Sequence, residues 1–315
     1  MKKVIFIVGP TAVGKTGFSL QLAAQFESVE IISADSRQVY KLMDIGTAKP
    51  LLSERAQIVH HFIDCKLPDE YFSAGQFGNE ARRVIDALFA GRKTPMVVGG
   101  SGLYIRALVD GLFERQVSSD VVKRQLKNEI REKGLPALYE RLQAIDAASA
   151  RQIHPNDGHR IVRALEVYEL TGTPISEFYK NSTEPISFQP VFIGLNRRRE
   201  ELYRIIEERV DAMIRMGLVE EVAQLQQAGF GSNLNSMQTV GYREVFDYLE
   251  GRCDSDDMVR LIKQRTRNYA KRQLTWFRND PRIKWFDIDT SEEPRRLMLR
   301  VCDYLKSEDC PCGRI

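Results

Sequence analysis

No apolar run in these 315 residues approaches the length needed to cross a membrane. The longest near the start, Val4 to Val8, is also too short for the core of a secretory signal, and it runs straight into a glycine-containing turn. Cysteine is scarce. Cys65, Cys253, Cys302, Cys310 and Cys312 are odd in number and lack the spacing of a disulfide framework. These absences predict a reduced, cytoplasmic protein with no membrane partner. Cys310-Pro311-Cys312 has no nearby histidine or second cysteine pair, so it reads as a frayed tail and not as a metal site. Charge of one sign is lacking too. The formal net charge is only +3, so any nucleic-acid surface must be a local patch. There is no internal repeat and no low-complexity linker, and a 43% hydrophobic content excludes disorder. The length suits one large domain or two modest ones.

What the chain does have is Gly9-Pro10-Thr11-Ala12-Val13-Gly14-Lys15-Thr16, a match to G-x-x-x-x-G-K-[ST]. It follows the β-branched run Val4 to Val8, and a helical pattern with Phe18, Leu22 and Phe26 follows it. Glycines let such a loop curl so that several N–H groups face one anion, and the helix N-terminus adds partial positive charge. Lys15 is placed to neutralise the outer phosphate, and the Thr16 hydroxyl to ligate Mg²⁺. The motif predicts a bound phosphate or diphosphate without specifying ATP.

Further strands are predicted at Glu30 to Ala34, His61 to Asp64, Thr94 to Val98, Pro190 to Leu195 and Lys284 to Ile288, with a helix over Ala74 to Ala90. Alternation of strands and helices predicts an α/β fold, a P-loop NTPase-like parallel sheet flanked by helices. Ligands then sit at the carboxyl ends of the strands, an edge shared by the phosphate loop, Asp35 and Ser101. Between residues 114 and 189 strand signals vanish. Helices are predicted at Asp120 to Lys133, Pro136 to Ala144, Ala147 to Ile153 and Asp157 to Thr171, with Pro136 at a helix start and Gly172 at a stop. The expected organisation is a catalytic core of residues 1–113 and 190–315, interrupted by an all-helical insertion domain at 114–189.

From Met258 to Asn279 the chain carries no acid. On a helical wheel Arg260, Lys263, Arg267, Lys271 and Arg278 form one stripe, with Met258, Ile262, Tyr269 and Trp276 opposite and Arg265 and Arg272 between. A charge run is commonly a solvated face, but an acid-free stripe in a chain of balanced charge predicts a polyanion-binding surface. Asp35 follows a strand beside the phosphate loop, where it could serve as a base toward an acceptor. An Asx-turn or a helix cap is its structural alternative. Ser101 reads equally well as a hydroxyl orienting the acceptor or as a plain turn residue.

These segments together resemble the tRNA dimethylallyltransferase family, in its bacterial form without a C-terminal zinc finger. The resemblance is carried by the phosphate loop, Asp35 to Tyr40, Asp44-Ile45-Gly46-Thr47-Ala48-Lys49-Pro50 and Gly99 to Tyr104. It continues through Ile153 to Asp157 with Arg160 and Arg163, Gly241 to Glu244, and Tyr269 to Gln273 with Trp276 to Arg278. It implies transfer of a dimethylallyl group from its diphosphate to N6 of adenine 37 beside the anticodon, without ATP hydrolysis. It also implies Asp35 as general base and Ser101 where the family carries Thr. Lys15 and Arg209 would hold the diphosphate with Gly9, Pro10, Thr11, Ala12, Val13 and Gly14, and Thr16 the Mg²⁺. The tRNA-contacting stretches would include Asp35, Ser36, Arg37, Gln38, Ser101, Lys123, His159, Arg160, Ile161, Val162, Arg163, Gly241, Tyr242, Arg243, Glu244, Lys271, Gln273 and Arg278. The implied partners are the tRNA anticodon stem-loop and dimethylallyl diphosphate, bound by a monomer. The rivals are a small-molecule kinase using ATP and a noncatalytic RNA-binding module that keeps a relic loop.

Overall fold

The computed structural model describes residues 2–111, 118–181, 185–288 and 294–310. Six strands, β1 (Lys2–Val8), β2 (Val29–Ser33), β3 (His60–His61), β4 (Thr94–Gly99), β5 (Phe188–Asn196) and β6 (Ile283–Asp287), form one parallel sheet in the order β3-β2-β4-β1-β5-β6. The central strand β1 is apolar on both faces, as a strand covered on both sides must be. Val4, Phe6 and Val8 enter one core with Phe77, Val97 and Phe192. Ile5 and Ile7 enter the other with Leu22, Val191 and Ile193. Register places Phe6 level with Val97 on β4 and Phe192 on β5, and the two Phe rings lie 4.8 Å apart. This arrangement brings the residues after β1, β2 and β4 to one edge of the sheet.

The third strand is shorter than the sequence predicts. Phe62 and Asp64 have φ of 62° and 55°, so the chain turns away directly after His61. The turn aims the Asp64 carboxylate at Lys49 Nζ (2.5 Å) and Arg55 Nη1 (2.7 Å), which outweighs continued pairing at the sheet edge. Between β5 and β6 the chain forms helices Arg199–Arg215, Leu218–Gln227, Tyr242–Leu249 and Ser255–Arg278. The first three are not legible from sequence pattern alone. The expected frayed tail is corrected at Cys310, which is 5% exposed and packs in the second core, its N–H donating to Leu305 O at 2.8 Å. Cys312 lies outside the described residues.

The chain divides into two compact units, Met1–Val109 with Ile186–Ile315, and Asp110–Pro185. The second contains only helices among its described residues. They close over Leu126, Leu138, Leu142, Ile161 and Leu165. Its helix starts are capped by side chains. Asp146 Oδ1 accepts from Ser149 N (2.9 Å) and Asp157 Oδ1 from Arg160 N (3.1 Å), while Gly172 supplies the left-handed stop at φ 67°.

Candidate active site

The loop after β1 curls as its glycines require. Gly9 has φ 150°, and a Cβ there would lie 2.6 Å from Leu195 O. Gly14, at φ 105°, is the N-cap of helix Lys15–Ala23. Lys15 Nζ donates to Gly9 O at 3.0 Å and Pro10 O at 2.7 Å, so the ammonium sits inside the curl. Burial there pushes its pKa down to about 8. The Asp35 carboxylate pulls it back up and the Arg209 guanidinium adds to the depression. Lys15, Asp35 and Arg209 therefore share one electrostatic environment although their numbers span the core unit. Arg209 is itself held below its ordinary value by desolvation. The Thr16 hydroxyl makes no hydrogen bond to another described residue.

Asp35 forms the turn that is one reading of its position. Oδ1 accepts from Arg37 N at 2.9 Å and Gln38 N at 3.4 Å, an Asx-turn that fixes the carboxylate. Oδ2 accepts nothing from the described residues, and Asp35 lines a cavity of about 270 Å³. The turn thus fixes the carboxylate and leaves Oδ2 unengaged among the described residues. Ser101 behaves similarly. Its N–H donates to Ala34 O (3.1 Å), its Oγ accepts from Ser36 N (3.0 Å), and it shares a contact with Ser36 Oγ (3.1 Å). It ties the loop after β4 to the loop after β2.

Gln273 locks these loops from the long helix Ser255–Arg278. Its Oε1 accepts from Thr11 N at 2.8 Å and its Nε2 donates to Gly100 O at 2.9 Å. Gly100 has no room for a side chain, because a Cβ would lie 2.3 Å from Gln273 Nε2. One turn earlier, Tyr269 shares a hydrogen bond with Ser101. Burial and then the Asp35 charge raise its pKa to about 12, so it stays protonated. Tyr269 and Arg272 line the cavity with the polar Asp35, Arg209 and Thr11 and the apolar Val210, Met213, Val240 and Ile262. A shallower, more open depression shares Ser36, Tyr269 and Arg272 with it and extends past Ser101 to Leu103 and Trp276. Tyr269, Arg272 and the apolar lining stand outside the site residues expected from the sequence. The spacing of Tyr269, Arg272 and Gln273 on one helical face was the available signal.

Thr11 of the phosphate loop, the oriented Asp35 carboxylate, the Arg209 guanidinium and a set of apolar side chains thus line one cavity. Residues 38–280 match the family model described as IPP transferase. A curated protein from Carboxydothermus hydrogenoformans, named tRNA dimethylallyltransferase, is 48% identical over 288 residues, 91% of this chain and 92% of the relative. The chain belongs to the tRNA dimethylallyltransferase family. A second tRNA dimethylallyltransferase, from Geobacillus thermodenitrificans, is 44% identical over 95% of this chain and 94% of its own length. Among solved structures, the tRNA isopentenylpyrophosphate transferase of Bacillus halodurans superposes with a TM-score of 0.71 at 36% identity, covering 98% of each chain. A eukaryotic dimethylallyltransferase described as acting on tRNA gives 0.78 at 30% identity, over all of this chain and 81% of that one.

In this transferase-family chain the remaining sequence-selected residues fall in three places. At the core site, Arg37 Nη1 donates to Asn235 O (2.9 Å), while Gln38 is turned inward onto Thr47 O and Ala48 O at 3.3 and 3.2 Å. Tyr242 is fully buried. Its hydroxyl donates to Glu221 Oε1 (2.5 Å), whose carboxylate accepts the N–H groups of Asp44, Ile45 and Gly46. Glu244, 1% exposed, caps Gly241 N at 2.6 Å and pairs with Arg265. Arg243 is exposed. In the helical unit, His159 and Arg160 are exposed, Ile161 and Val162 are core, and Lys123 and Arg163 flank the buried Glu166 at 3.9 and 2.8 Å.

The third place is the long helix, where the sequence expectation needs correction. Its stripe is not uniformly free. Arg260 pairs with Asp257 (2.6 Å), Lys263 with Asp211 (2.7 Å) and Arg267 with Glu207 (2.5 Å). The latter two bind helix Arg199–Arg215, whose acids could not be placed opposite them from sequence. Only the later part, Lys271, Arg272 and Arg278, is exposed without a carboxylate partner among the described residues, beside a 44% exposed Trp276. Trp276 therefore leaves the apolar stripe and joins the surface. Among the described residues no helix is long and apolar enough to cross a membrane.

Proposed function

We propose that this chain transfers the dimethylallyl group of dimethylallyl diphosphate to N6 of adenine 37, next to the anticodon of tRNA, and releases diphosphate. The observation that carries this reading is the free Oδ2 of Asp35 in the same cavity as Arg209 and an apolar wall, within the electrostatic reach of Lys15. The kinase alternative is not favoured. A phosphoryl group has no use for Val210, Met213 and Ile262 beside it, whereas a prenyl group does.

In the reaction the allylic C1–O bond breaks, its electron pair leaving with the diphosphate, and an N6–C1 bond forms. Negative charge develops on the bridging oxygen. Lys15, Arg209 and the N–H groups of the phosphate loop are placed to stabilise it there. The adenine amine is a poor nucleophile because its lone pair is delocalised, and its proton becomes acidic as N6 attacks. Asp35 accepts that proton at Oδ2, while its Oδ1 stays in the Asx-turn. Ser101 and Tyr269 hold the wall against which the base is oriented. Adenine 37 must leave its stack to enter such a cavity.

Mg²⁺ fits this donor set. Its protein ligand would be the Thr16 hydroxyl, with diphosphate oxygens and water completing the shell, as suits a small cation that keeps its water. Bound there, it neutralises charge on the leaving diphosphate. Among the described residues no group of three or more His, Cys, Asp or Glu forms a separate metal site.

For the RNA, we propose that Lys271, Arg272 and Arg278 contact phosphates near the site. The core loops from Asp35 to Gln38 and from Gly241 to Glu244 bound the acceptor pocket. Lys123, His159, Arg160 and Arg163 of the helical unit supply further contacts. Replacing both Lys271 and Arg278 by Ala is expected to reduce the slope of log affinity against log salt by about 2, one per phosphate contact. Replacing Lys263 and Arg267 is expected to leave that slope unchanged and lower Tm slightly, since each partly exposed pair contributes about 0–1 kcal/mol. A salt titration of tRNA binding with both double variants checks this. Equal slopes for the two would remove the phosphate contacts from Lys271 and Arg278.

The acceptor assignment is tested with labelled dimethylallyl diphosphate and an anticodon stem-loop carrying adenine or another base at position 37. Label should enter the first RNA and not the second. Equal labelling of both would refute it.

A further inference from the structure

Glu221, in the first turn of helix Leu218–Gln227, carries a carboxylate that serves several donors at once. Its Oε2 accepts from Asp44 N (2.9 Å) and Ile45 N (2.8 Å), and its Oε1 from Gly46 N (3.2 Å) and the Tyr242 hydroxyl (2.5 Å). Gly46 lies so close on the Tyr242 ring that a Cβ would stand 2.3 Å from its Cε2. The ring is fully buried, so the segment is pinned by hydrogen bonds and by packing together. The pinned segment leads to the cavity. Gly46, Thr47 and Ala48 line it with Asp35, whereas Glu221 and Tyr242 stand outside its lining. The carbonyls of Thr47 and Ala48 accept from Gln38 Nε2 at 3.3 and 3.2 Å, and Gln38 N donates to Asp35 Oδ1 at 3.4 Å. A chain of hydrogen bonds and short backbone links thus runs from Tyr242 and Glu221 to the Asp35 carboxylate, all within the core unit.

We infer that Glu221 is a positioning residue of the transfer: by gripping the N–H groups of Asp44, Ile45 and Gly46, it holds Thr47, Ala48 and Gln38 where they orient Asp35 toward the adenine amine. The inference rests on the transfer reaction proposed above. It concerns the acceptor side, because Lys15, Arg209 and the phosphate loop, which hold the diphosphate, are not links in this chain. A carboxylate is required at position 221. In a glutamine one of the two oxygens becomes an NH2 group, which would face peptide N–H groups left without an acceptor. The segment must then shift, and a misplacement of about 1 Å costs on the order of 10²-fold in rate.

The test measures kcat at saturating tRNA and dimethylallyl diphosphate, and the Kd for inorganic diphosphate, in the full-length protein. The variants are Glu221→Gln, Tyr242→Phe, Gln38→Ala and the double variant of Glu221→Gln with Gln38→Ala. Glu221→Gln should lower kcat by about tenfold or more, with the diphosphate Kd within about twofold of the parent. In the Gln38→Ala background the same substitution should cost less than about threefold, because the link through which it acts is already cut. Tyr242→Phe removes one donor from Glu221 and should lower kcat by about fivefold, the equivalent of one ordinary hydrogen bond. This milder variant decides the matter if Glu221→Gln does not fold. The assignment is overturned if kcat stays within about twofold of the parent in Tyr242→Phe and in folded Glu221→Gln. It is overturned equally by the same loss from Glu221→Gln with and without Gln38. A parallel loss of diphosphate affinity would also overturn it, since that marks a general loosening of the core unit. Each of these results leaves the transfer reaction standing. Failure of the parent protein to transfer the dimethylallyl group at all would overturn the reaction and the inference together.

Discussion

Asp35→Asn is expected to lower kcat about 10²- to 10⁴-fold while leaving the Kd for tRNA and for diphosphate nearly unchanged. Asn retains an oxygen for the N–H groups of Arg37 and Gln38, so the Asx-turn that Asp35 makes should survive. What it loses is the capacity to take the amine proton. The loss corresponds to about 3–5 kcal/mol of transition-state stabilisation. Three outcomes are distinguishable in single-turnover and equilibrium binding measurements. Collapse of rate with intact binding identifies the base. Loss of diphosphate affinity together with rate, partly restored by added Mg²⁺, would place Asp35 on the metal instead. Near-normal activity would reduce it to a turn residue. The geometry favours the first, because one carboxylate oxygen is committed to the turn while the other accepts nothing from the described residues, on a side chain that lines the cavity.

The second large effect is expected at Lys15. Lys15→Ala should reduce transfer about 10²- to 10³-fold, the usual cost of removing one group that stabilises charge developing on an oxygen. Affinity for tRNA should stay close to that of the parent protein. A pH signature accompanies this role. The buried ammonium has a pKa near 8, and only its protonated form attracts a diphosphate. Above pH about 8 the free protein loses that proton, so the Kd for diphosphate should rise with pH, by up to tenfold per unit for a one-proton equilibrium. Below pH 8 this dependence should flatten. Lys15→Arg keeps a cation that does not titrate in this range and should remove the inflection. A Kd for inorganic diphosphate that is flat between pH 7 and pH 10 in the parent protein would contradict the assignment.

Legibility in the sequence follows the range of the interactions concerned. The phosphate loop is readable because backbone geometry dictates it. Only glycine accepts φ 105° at position 14, and the strand and helix on either side are themselves local patterns. The insertion helices are readable for the same reason, with caps at Asp146 and Asp157 and a stop at Gly172. Asp35 is half readable. The position after a strand selects it, but the sequence does not say that its turn would leave one oxygen free.

The rest depends on partners distant in the chain. Gln273 matters because it reaches Thr11 and Gly100 at once, and no local pattern announces a bridge across 262 residues. The basic stripe misleads for the converse reason. Glu207 and Asp211 stand four residues apart, as do Lys263 and Arg267, so the two pairs match once the helices lie antiparallel. Read alone, the helix Ser255–Arg278 looks uniformly cationic. In the fold it is an ion-paired seam for half its length and an open basic surface for the remainder. The apolar lining of the cavity is not legible because helix Arg199–Arg215 carries many charges, which obscure its buried face of Leu202, Ile206 and Val210.

The most direct test is the mass of tRNA after incubation with the purified protein, Mg²⁺ and either dimethylallyl diphosphate or ATP. The expected result is a gain of one dimethylallyl group in place of one hydrogen with the first, localised to adenine 37, and no change with the second. Unchanged tRNA in the presence of dimethylallyl diphosphate, or a phosphoryl group gained from ATP, would contradict the proposed reaction.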